Sequence, residues 1–148
     1  MTDLFTNYFR EIQVKFSRIY VQLLSREDVT LPQYALLSQL VSTGIIPMNQ
    51  ASKHLHLSKP AITNLVDRLE QKKLLKRLSH AKDRRITLLE VQARGEKLVY
   101  RIQSWILQFI LKALNEFNEH DKKIVVRFYS LLLENINELL RIETNESE

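Results

Sequence analysis

Apolar residues recur every three or four positions along the first part of the chain, which is the spacing of an amphipathic helix. The pattern predicts a long first helix over residues 3–25. A polar break follows, and Thr30 is predicted to cap a second helix that ends near Ser42. Gly44 then offers the left-handed residue that commonly terminates a helix.

The middle of the chain predicts two short helices joined by a tight turn. The first covers roughly residues 48–55, and Ser58 is placed to cap the second, with Pro60 in its first turn. One face of the second helix is apolar and consists of Ala61, Ile62, Leu65, Val66 and Leu69. The opposite face is polar and carries Lys59, Thr63, Asn64, Asp67 and Gln71, with Arg68 on its flank. This arrangement is typical of a helix-turn-helix.

Two short strands are predicted after this helix, at residues 74–78 and 85–91. The second run alternates apolar and polar positions, as a half-buried strand does. The six residues between them, 79–84, would form an exposed basic hairpin tip. They include no Gly, Asn or Pro, so a loop is favoured over a two-residue turn.

The last part of the chain predicts two further helices, one over about 92–116 and one capped by Asn118. In the final helix, Val126, Tyr129 and Leu133 widen the apolar stripe beyond one face. Such a helix is normally buried on several sides, so we expect a subunit interface built from the first and last helices.

These elements together predict a mainly α fold with a small β-hairpin: a winged helix-turn-helix core flanked by long dimerisation helices. The expected organisation is a helical dimerisation region formed by residues 1–30 and 92–142, and a DNA-binding region formed by residues 31–91. The acidic tail, residues 143–148, is expected to be disordered.

Composition removes several functional classes. The chain has no cysteine, so disulfides, thiolate metal sites and thiol redox sensing are excluded. With two glycines it has no glycine-rich phosphate loop, and no paired-carboxylate or nucleophile motif is present. His54 and His56 are two positions apart, which does not favour a shared metal ion. We therefore expect no enzyme activity, no cofactor and no metal. Without a signal-peptide pattern or a long apolar run, we expect a cytoplasmic protein.

Charge is concentrated in one segment, residues 52–85. It holds ten basic and three acidic side chains, a net +7, whereas the rest of the chain sums to −2. Such segregation is typical of a surface that binds a polyanion, because neutralised phosphates release counterions. A solvated charged face is the alternative interpretation of the charge alone.

Two stretches resemble the winged-helix core of the MarR family, the multiple-antibiotic-resistance-type regulators. The first, LSKPAITNLVDRLEQKKLLKR, is similar to the family's recognition helix and first wing strand. The second, AKDRRITLLEVQARGEKLV, is similar to its wing and the start of its fifth helix. The most specific element is Asp83-Arg84-Arg85 between two short strands, and with the flanking long helices the likeness covers nearly the whole chain.

The resemblance implies a homodimer in which each recognition helix, residues 58–71, enters a major groove and each wing, residues 79–85, reaches a minor groove. It assigns Arg85 to the minor groove and Asp83 to orienting that arginine. Matching positions on the recognition helix are Ser58, Lys59, Pro60, Thr63, Asn64 and Arg68. The basic side chains Arg77, Lys82 and Arg84 complete the predicted DNA-binding set. Asn is suited to adenine, and Ser at a helix N-terminus is suited to phosphate.

The functional hypothesis is a sequence-specific double-stranded DNA-binding regulator, a repressor, that binds a palindromic operator as a homodimer. A small-molecule effector of unidentified chemistry remains open. The alternative is a winged-helix module that docks a protein or RNA without specific operator binding. Ala51-Ser52 replaces a usual Leu-Ala pair of the family, and among the other departures Lys73 replaces a usual glycine and Gln92 a usual threonine. Lys73 and Gln92 are the two nearest the wing. Both bear on the geometry of the wing.

Overall fold

A computed structural model describes residues 1–145, and this part of the chain contains six helices and three strands. The helices are α1 (Thr2–Arg26), α2 (Leu31–Thr43), α3 (Met48–His54), α4 (Lys59–Gln71), α5 (Ala93–Leu114) and α6 (Glu119–Asn145). The strands are β1 (Ile46–Pro47), β2 (Leu75–Ser79) and β3 (Thr87–Val91). The predicted mainly α winged-helix class is confirmed. No helix within residues 1–145 combines the length and apolarity needed to span a bilayer.

The described residues form two compact units, one from Met1 to Ser104 and one from Trp105 onward. The first unit contains the winged helix, and α2 lies at its centre. Leu36, Leu37 and Leu40 of this helix are buried almost completely.

The predicted cap of α2 is confirmed and extends to a reciprocal pair of bonds. The Thr30 hydroxyl oxygen accepts from the Gln33 backbone N–H at 3.4 Å, and Gln33 Oε1 accepts from the Thr30 N–H at 3.0 Å. This capping box satisfies two backbone donors that the first turn would otherwise leave unpaired.

The sheet has three antiparallel strands in the order β1-β3-β2. The sequence predicted only the two wing strands, because a two-residue strand such as β1 is too short to show a period. Within β1, Ile46 is opposite Leu89 of β3 and is buried. The prediction that the second wing strand starts at Arg85 is wrong by two residues, since β3 starts at Thr87.

Helix α5 approaches the wing closely at Gly95. A Cβ atom placed on this glycine would lie 2.1 Å from the carbonyl oxygen of Leu74. Only glycine permits that approach, which brings Leu98, Val99 and Ile102 into the core.

The last helix, α6, begins at the predicted cap. Asn118 Oδ1 accepts from the Asp121 N–H at 3.0 Å, and Asn118 Nδ2 donates to the Asp121 carboxylate at 2.8 Å. The helix continues to Asn145, three residues past the boundary predicted at 142. The remainder of the predicted disordered tail, residues 146–148, lies outside the described residues.

Candidate nucleic-acid interface

Helix α4 is anchored by its cap and by its apolar face. Ser58 is extended, with φ −65° and ψ 159°, and its hydroxyl oxygen accepts from the Ala61 N–H at 3.4 Å. Pro60 lies in the first turn, where its missing N–H is not needed. The predicted apolar face is buried through Ile62, Leu65, Val66 and Leu69, and Ala61 is half-buried. The sequence-predicted orientation of this helix is confirmed.

The opposite face of α4 points to solvent. Lys59, Pro60, Asn64 and Arg68 are exposed, and no hydrogen bond or ion pair within residues 1–145 occupies the polar side chains of these residues. Thr63 is half-buried, and its hydroxyl donates to the carbonyl of Lys59 at 2.8 Å, which leaves the oxygen able to accept. Asn64 and Arg68 are one helical turn apart and therefore share a face. This surface offers donors and acceptors to an external partner.

Arg77 on β2 is placed differently from the other predicted site residues. Its Nη2 atom lies 2.6 Å from Asp67 Oδ1, and its Nη1 atom bonds Glu70 Oε2. Its backbone N–H also donates to Glu70 Oε1 at 3.1 Å. The guanidinium is thus held by two carboxylates of α4, and it joins α4 to β2.

The ion pairs of Arg77 change its acid–base behaviour. Burial by itself would lower the pKa of Arg77, but the hydrogen bonds to Asp67 and Glu70 outweigh burial and raise this pKa. The guanidinium is three-quarters buried, at 26% side-chain exposure, so the ion pairs are partly shielded from water. We infer that Arg77 positions α4 and is not itself free to bind a phosphate.

The wing tip, residues 80–86, is a loop with its own hydrogen bonds. Asp83 Oδ1 accepts from the backbone N–H of Arg85 at 3.0 Å, and the carbonyl of Asp83 accepts from Ile86 N–H at 3.1 Å. The sequence predicted that Asp83 orients Arg85, and the bond is made to the Arg85 backbone. Among the described residues, no ion pair links Asp83 to the Arg85 guanidinium. Lys82, Arg84 and Arg85 are exposed.

The charge of the basic segment, residues 52–85, divides into a paired and an unpaired set. Three of its ten cations form ion pairs: Lys72 with Asp28, Lys76 with Glu90, and Arg77 with the two α4 carboxylates. The other seven are exposed and have no ion-pair partner in residues 1–145; they are Lys53, Lys59, Arg68, Lys73, Lys82, Arg84 and Arg85. The two α4 carboxylates are held by Arg77, and Asp83 is held by the wing backbone.

Lys73 and Gln92, which depart from the family pattern, have distinct structural roles. Lys73 has φ 57°, a left-handed conformation that is strained for a residue with a Cβ atom. Gln92 precedes α5, and its Nε2 atom donates to the carbonyl of Leu75 at 2.8 Å. Gln92 therefore ties the start of α5 to β2. The sequence could not reveal this bond, because the two residues are distant along the chain.

A cavity of about 930 Å³ lies beside the winged helix, within the first unit. It is lined by residues from α1, α2, α5 and the end of α3, among them Tyr20, Tyr34, Gln39 and Tyr100. The Tyr20 and Tyr34 rings are 6.2 Å apart. Burial raises the pKa of Tyr34, and the neighbouring Tyr20 adds to the increase.

One of the residues that line this cavity, Gln39, carries a polar atom without a partner in residues 1–145. Gln39 Oε1 is buried and accepts no hydrogen bond from any residue in the described part of the chain. A buried acceptor without a donor is costly and rare in folded proteins. Helical periodicity does not predict it, because α2 mixes polar and apolar positions and the missing donor depends on the tertiary packing.

The histidines do not assemble a metal site. His54 lines the cavity and His56 has φ 51° in the turn before α4. Within residues 1–145, no group of three or more His, Asp or Glu side chains is arranged to hold a metal ion.

Comparison with known proteins shows similarity to one family model and a shared fold. Residues 29–87 match the model of the MarR family. The chain is 29% identical over 90 residues to the uncharacterised HTH-type transcriptional regulator YhbI of Bacillus subtilis, a match that covers 61% of this chain and 58% of YhbI. It is 30% identical over 88 residues to the HTH-type transcriptional repressor MdtR of B. subtilis, covering 57% of each chain. The chain thus spans a little over half the length of these two relatives.

A solved structure extends the likeness to the whole architecture. The S. aureus MepR–DNA complex matches with a TM-score of 0.68 and 25% identity, covering 88% of this chain and 98% of MepR. The flanking helices are therefore part of the shared fold as well as the winged helix.

Arg77→Ala should lower the free energy of unfolding by about 1 to 3 kcal/mol, because two partly buried carboxylates of α4 lose their cation. Chemical denaturation at a fixed protein concentration measures this change. Arg68→Ala is the matched control: it removes an exposed arginine without an internal partner, and its effect should stay within about 0.5 kcal/mol. In a double-mutant cycle, Arg77→Ala should cost much less when Asp67 and Glu70 are already replaced by Asn and Gln. Equal costs in both backgrounds would contradict the positioning role.

Proposed function

Because residues 29–87 match the model of the MarR family, we propose that the protein is a MarR-type transcriptional repressor that binds a palindromic duplex operator as a homodimer. One observation carries the proposal: seven exposed cations of the basic segment have no internal partner, while the nearby carboxylates are held by other groups. A duplex supplies the missing anions at regular spacing. The repressor activity named for MdtR and the bound DNA of MepR support this assignment.

The predicted site residues receive separate roles in this proposal. Ser58 and Lys59 at the start of α4 contact phosphates, where helix N–H groups and positive charge favour an anion. Thr63 and Asn64 face base edges in the major groove, with Pro60 beside them and Arg68 one turn later. Lys82, Arg84 and Arg85 on the wing reach the minor groove, whose negative potential is strongest where it is narrow. Arg77 holds the helix in register with the wing.

Substitution on α4 should separate base reading from phosphate binding. Asn64→Ala should relax base preference by about 1 to 3 kcal/mol at defined operator positions, because a bidentate partner is lost. Lys59→Ala should weaken binding to all duplexes by a similar factor. It should also reduce the magnitude of the slope of log affinity against log salt concentration by about 0.9. In vitro selection from a randomised duplex library, followed by salt titration of the selected site, measures both.

The same selection distinguishes the competing function, in which the winged helix docks RNA or a protein. No Phe, Tyr or Trp lies between residues 52 and 85, so this surface has no aromatic platform for unpaired bases. Operator recognition would be refuted if the selection enriched no sequence among the bound duplexes. It would also be refuted if single strands bound with the same affinity as duplexes.

We propose that the dimer forms through the first and last helices, residues 1–30 and 92–142. The apolar side chains of α6 lie uncovered in the single chain, and none of its residues up to Arg141 is buried. Leu131, Leu133 and Leu139 are 49%, 59% and 58% exposed. In α1 the exposed apolar positions include Leu4, Tyr8 and Ile12. Exposed apolar surface of this extent is typical of an interface, and a second copy covers it symmetrically.

Leu132→Glu should reduce dimerisation and stability together, because a carboxylate would be buried in the shared interface. Sedimentation equilibrium at low micromolar concentration should give a dimer for the natural chain. Ser130→Glu, at an exposed polar position of the same helix, should remain dimeric. Two-fold symmetry then predicts operator half-sites about 10 bp apart. A folded monomer that binds a single half-site would contradict both the interface and the operator geometry.

We further propose that the cavity beside α2 binds a small effector with an aromatic ring and one hydrogen-bond donor. Tyr20, Tyr34 and Tyr100 provide aromatic walls, and Gln39 Oε1 is an acceptor without a donor. A hydroxyl group that donates to this oxygen would remove the penalty of the unpaired acceptor.

Phenol should therefore raise the thermal unfolding midpoint more than anisole, which has the same ring and no donor. In Gln39→Leu the difference between the two compounds should disappear. The same variant without ligand should unfold about 2 to 4 °C higher, because it loses an unsatisfied polar atom worth about 1 kcal/mol. Equal stabilisation by both compounds in the natural chain would show that Gln39 does not recognise the ligand.

A further inference from the structure

The wing tip is held together by a histidine side chain. His80 Nδ1 accepts from two consecutive backbone N–H groups, that of Lys82 at 3.3 Å and that of Asp83 at 3.2 Å. Separately, the backbone N–H of His80 donates to the carbonyl of Ile86 at 3.2 Å, which closes the loop just before β3. The imidazole is half-buried, whereas the residues that follow it, 81–85, are exposed.

This arrangement requires the neutral imidazole. A ring nitrogen accepts a hydrogen bond only while it carries no proton, and both nitrogens are donors in the protonated ring. Protonation at Nδ1 would therefore place a donor opposite the Lys82 and Asp83 N–H groups. Histidine is the side chain that ordinarily changes charge between pH 5 and 8.

The surrounding charges are few and can be named. On the loop itself, Lys82, Arg84 and Arg85 are positive and Asp83 is negative. The strands that flank the loop end in the neutral pair Ser79 and Thr87. The next charges on the strands belong to Arg77, which is paired to α4, and to the Lys76–Glu90 ion pair.

We propose that His80 is the positioning residue of the wing: its neutral ring fixes the tip that presents Lys82, Arg84 and Arg85, and its protonation releases that tip. Affinity for the operator then falls as the pH is lowered. The inference rests on the proposed function, because the wing must contact DNA for the tip geometry to affect binding. His80 itself contacts the loop backbone and acts through the neighbouring cations.

The test compares three side chains at this position. The substitution His80→Asn keeps an uncharged acceptor at the same distance from the backbone. Asparagine side chains commonly accept hydrogen bonds from backbone N–H groups in turns. Ala in His80→Ala removes the acceptor. Duplex selected by the natural protein at pH 8 is the probe, and affinity is measured from pH 8 to pH 5.5 at constant ionic strength. His54, His56 and His120 are present in every variant, so differences between the variants report on position 80.

At pH 8 we expect the natural chain and His80→Asn to bind alike, and His80→Ala to bind about fivefold more weakly, the equivalent of one net hydrogen bond. At pH 5.5 the natural chain should lose about fivefold relative to His80→Asn and approach His80→Ala. Parallel pH profiles for the natural chain and His80→Asn would overturn the proposal. A gain in affinity of the natural chain at low pH would also overturn it, since that result indicates an imidazolium–phosphate contact.

A measurement without DNA separates this inference from the proposed function. In the free protein, the amide resonances of Lys82 and Asp83 should shift together with the His80 ring protons as the pH is lowered. In His80→Asn the two amides should not follow that transition. If the amides shift as expected and no duplex is bound at any pH, the role of His80 in fixing the tip holds and the proposed DNA-binding function fails. Amides that ignore the state of the ring would refute the role of His80 whether or not DNA binds.

Discussion

The interface depends on how Arg77 pairs with α4. Carboxylates on a helix weaken its binding to DNA, because they repel phosphate. Asp67 and Glu70 of α4 would have this effect if they were unpaired. Arg77 occupies both from the wing side, at 2.6 Å in the case of Asp67. The two acids then serve to fix the helix against β2, and the cations on the outer surface are left without competition. The same contact thus sets the geometry and the electrostatic potential of the surface.

Most of the architecture follows from local sequence patterns. The helix boundaries came from apolar spacing together with caps at Thr30, Ser58 and Asn118, and each cap makes the expected backbone bond. These signals act within three or four residues, so they can be recognised from the sequence without knowledge of the fold. Strand β1 was not predicted, because two residues show no periodicity. The start of β3 was predicted too early, because Arg85 belongs to the preceding loop.

The site was predictable in its residue types and less so in its contacts. The exposed face of α4 and the basic wing follow from amphipathicity and charge. The role of Arg77 does not, because its partners are seven and ten residues away and are brought to it only by the fold. The bond from Asp83 to the Arg85 backbone, the His80 turn and the unpaired Gln39 Oε1 likewise depend on atomic positions that no spacing rule specifies.

Lys73 illustrates a trade-off between folding and charge. Its left-handed backbone, φ 57°, disfavours lysine relative to glycine by about 1 to 2 kcal/mol. A glycine would relieve this strain, although its greater freedom in the unfolded chain would offset part of the gain. It would also remove the side chain of Lys73, which is one of the seven unpaired cations of the basic segment and lies just after the end of α4. The chain therefore retains a locally unfavourable residue whose side chain adds to the positive potential of this surface, so selection for stability alone and selection for surface charge would favour different residues at this position.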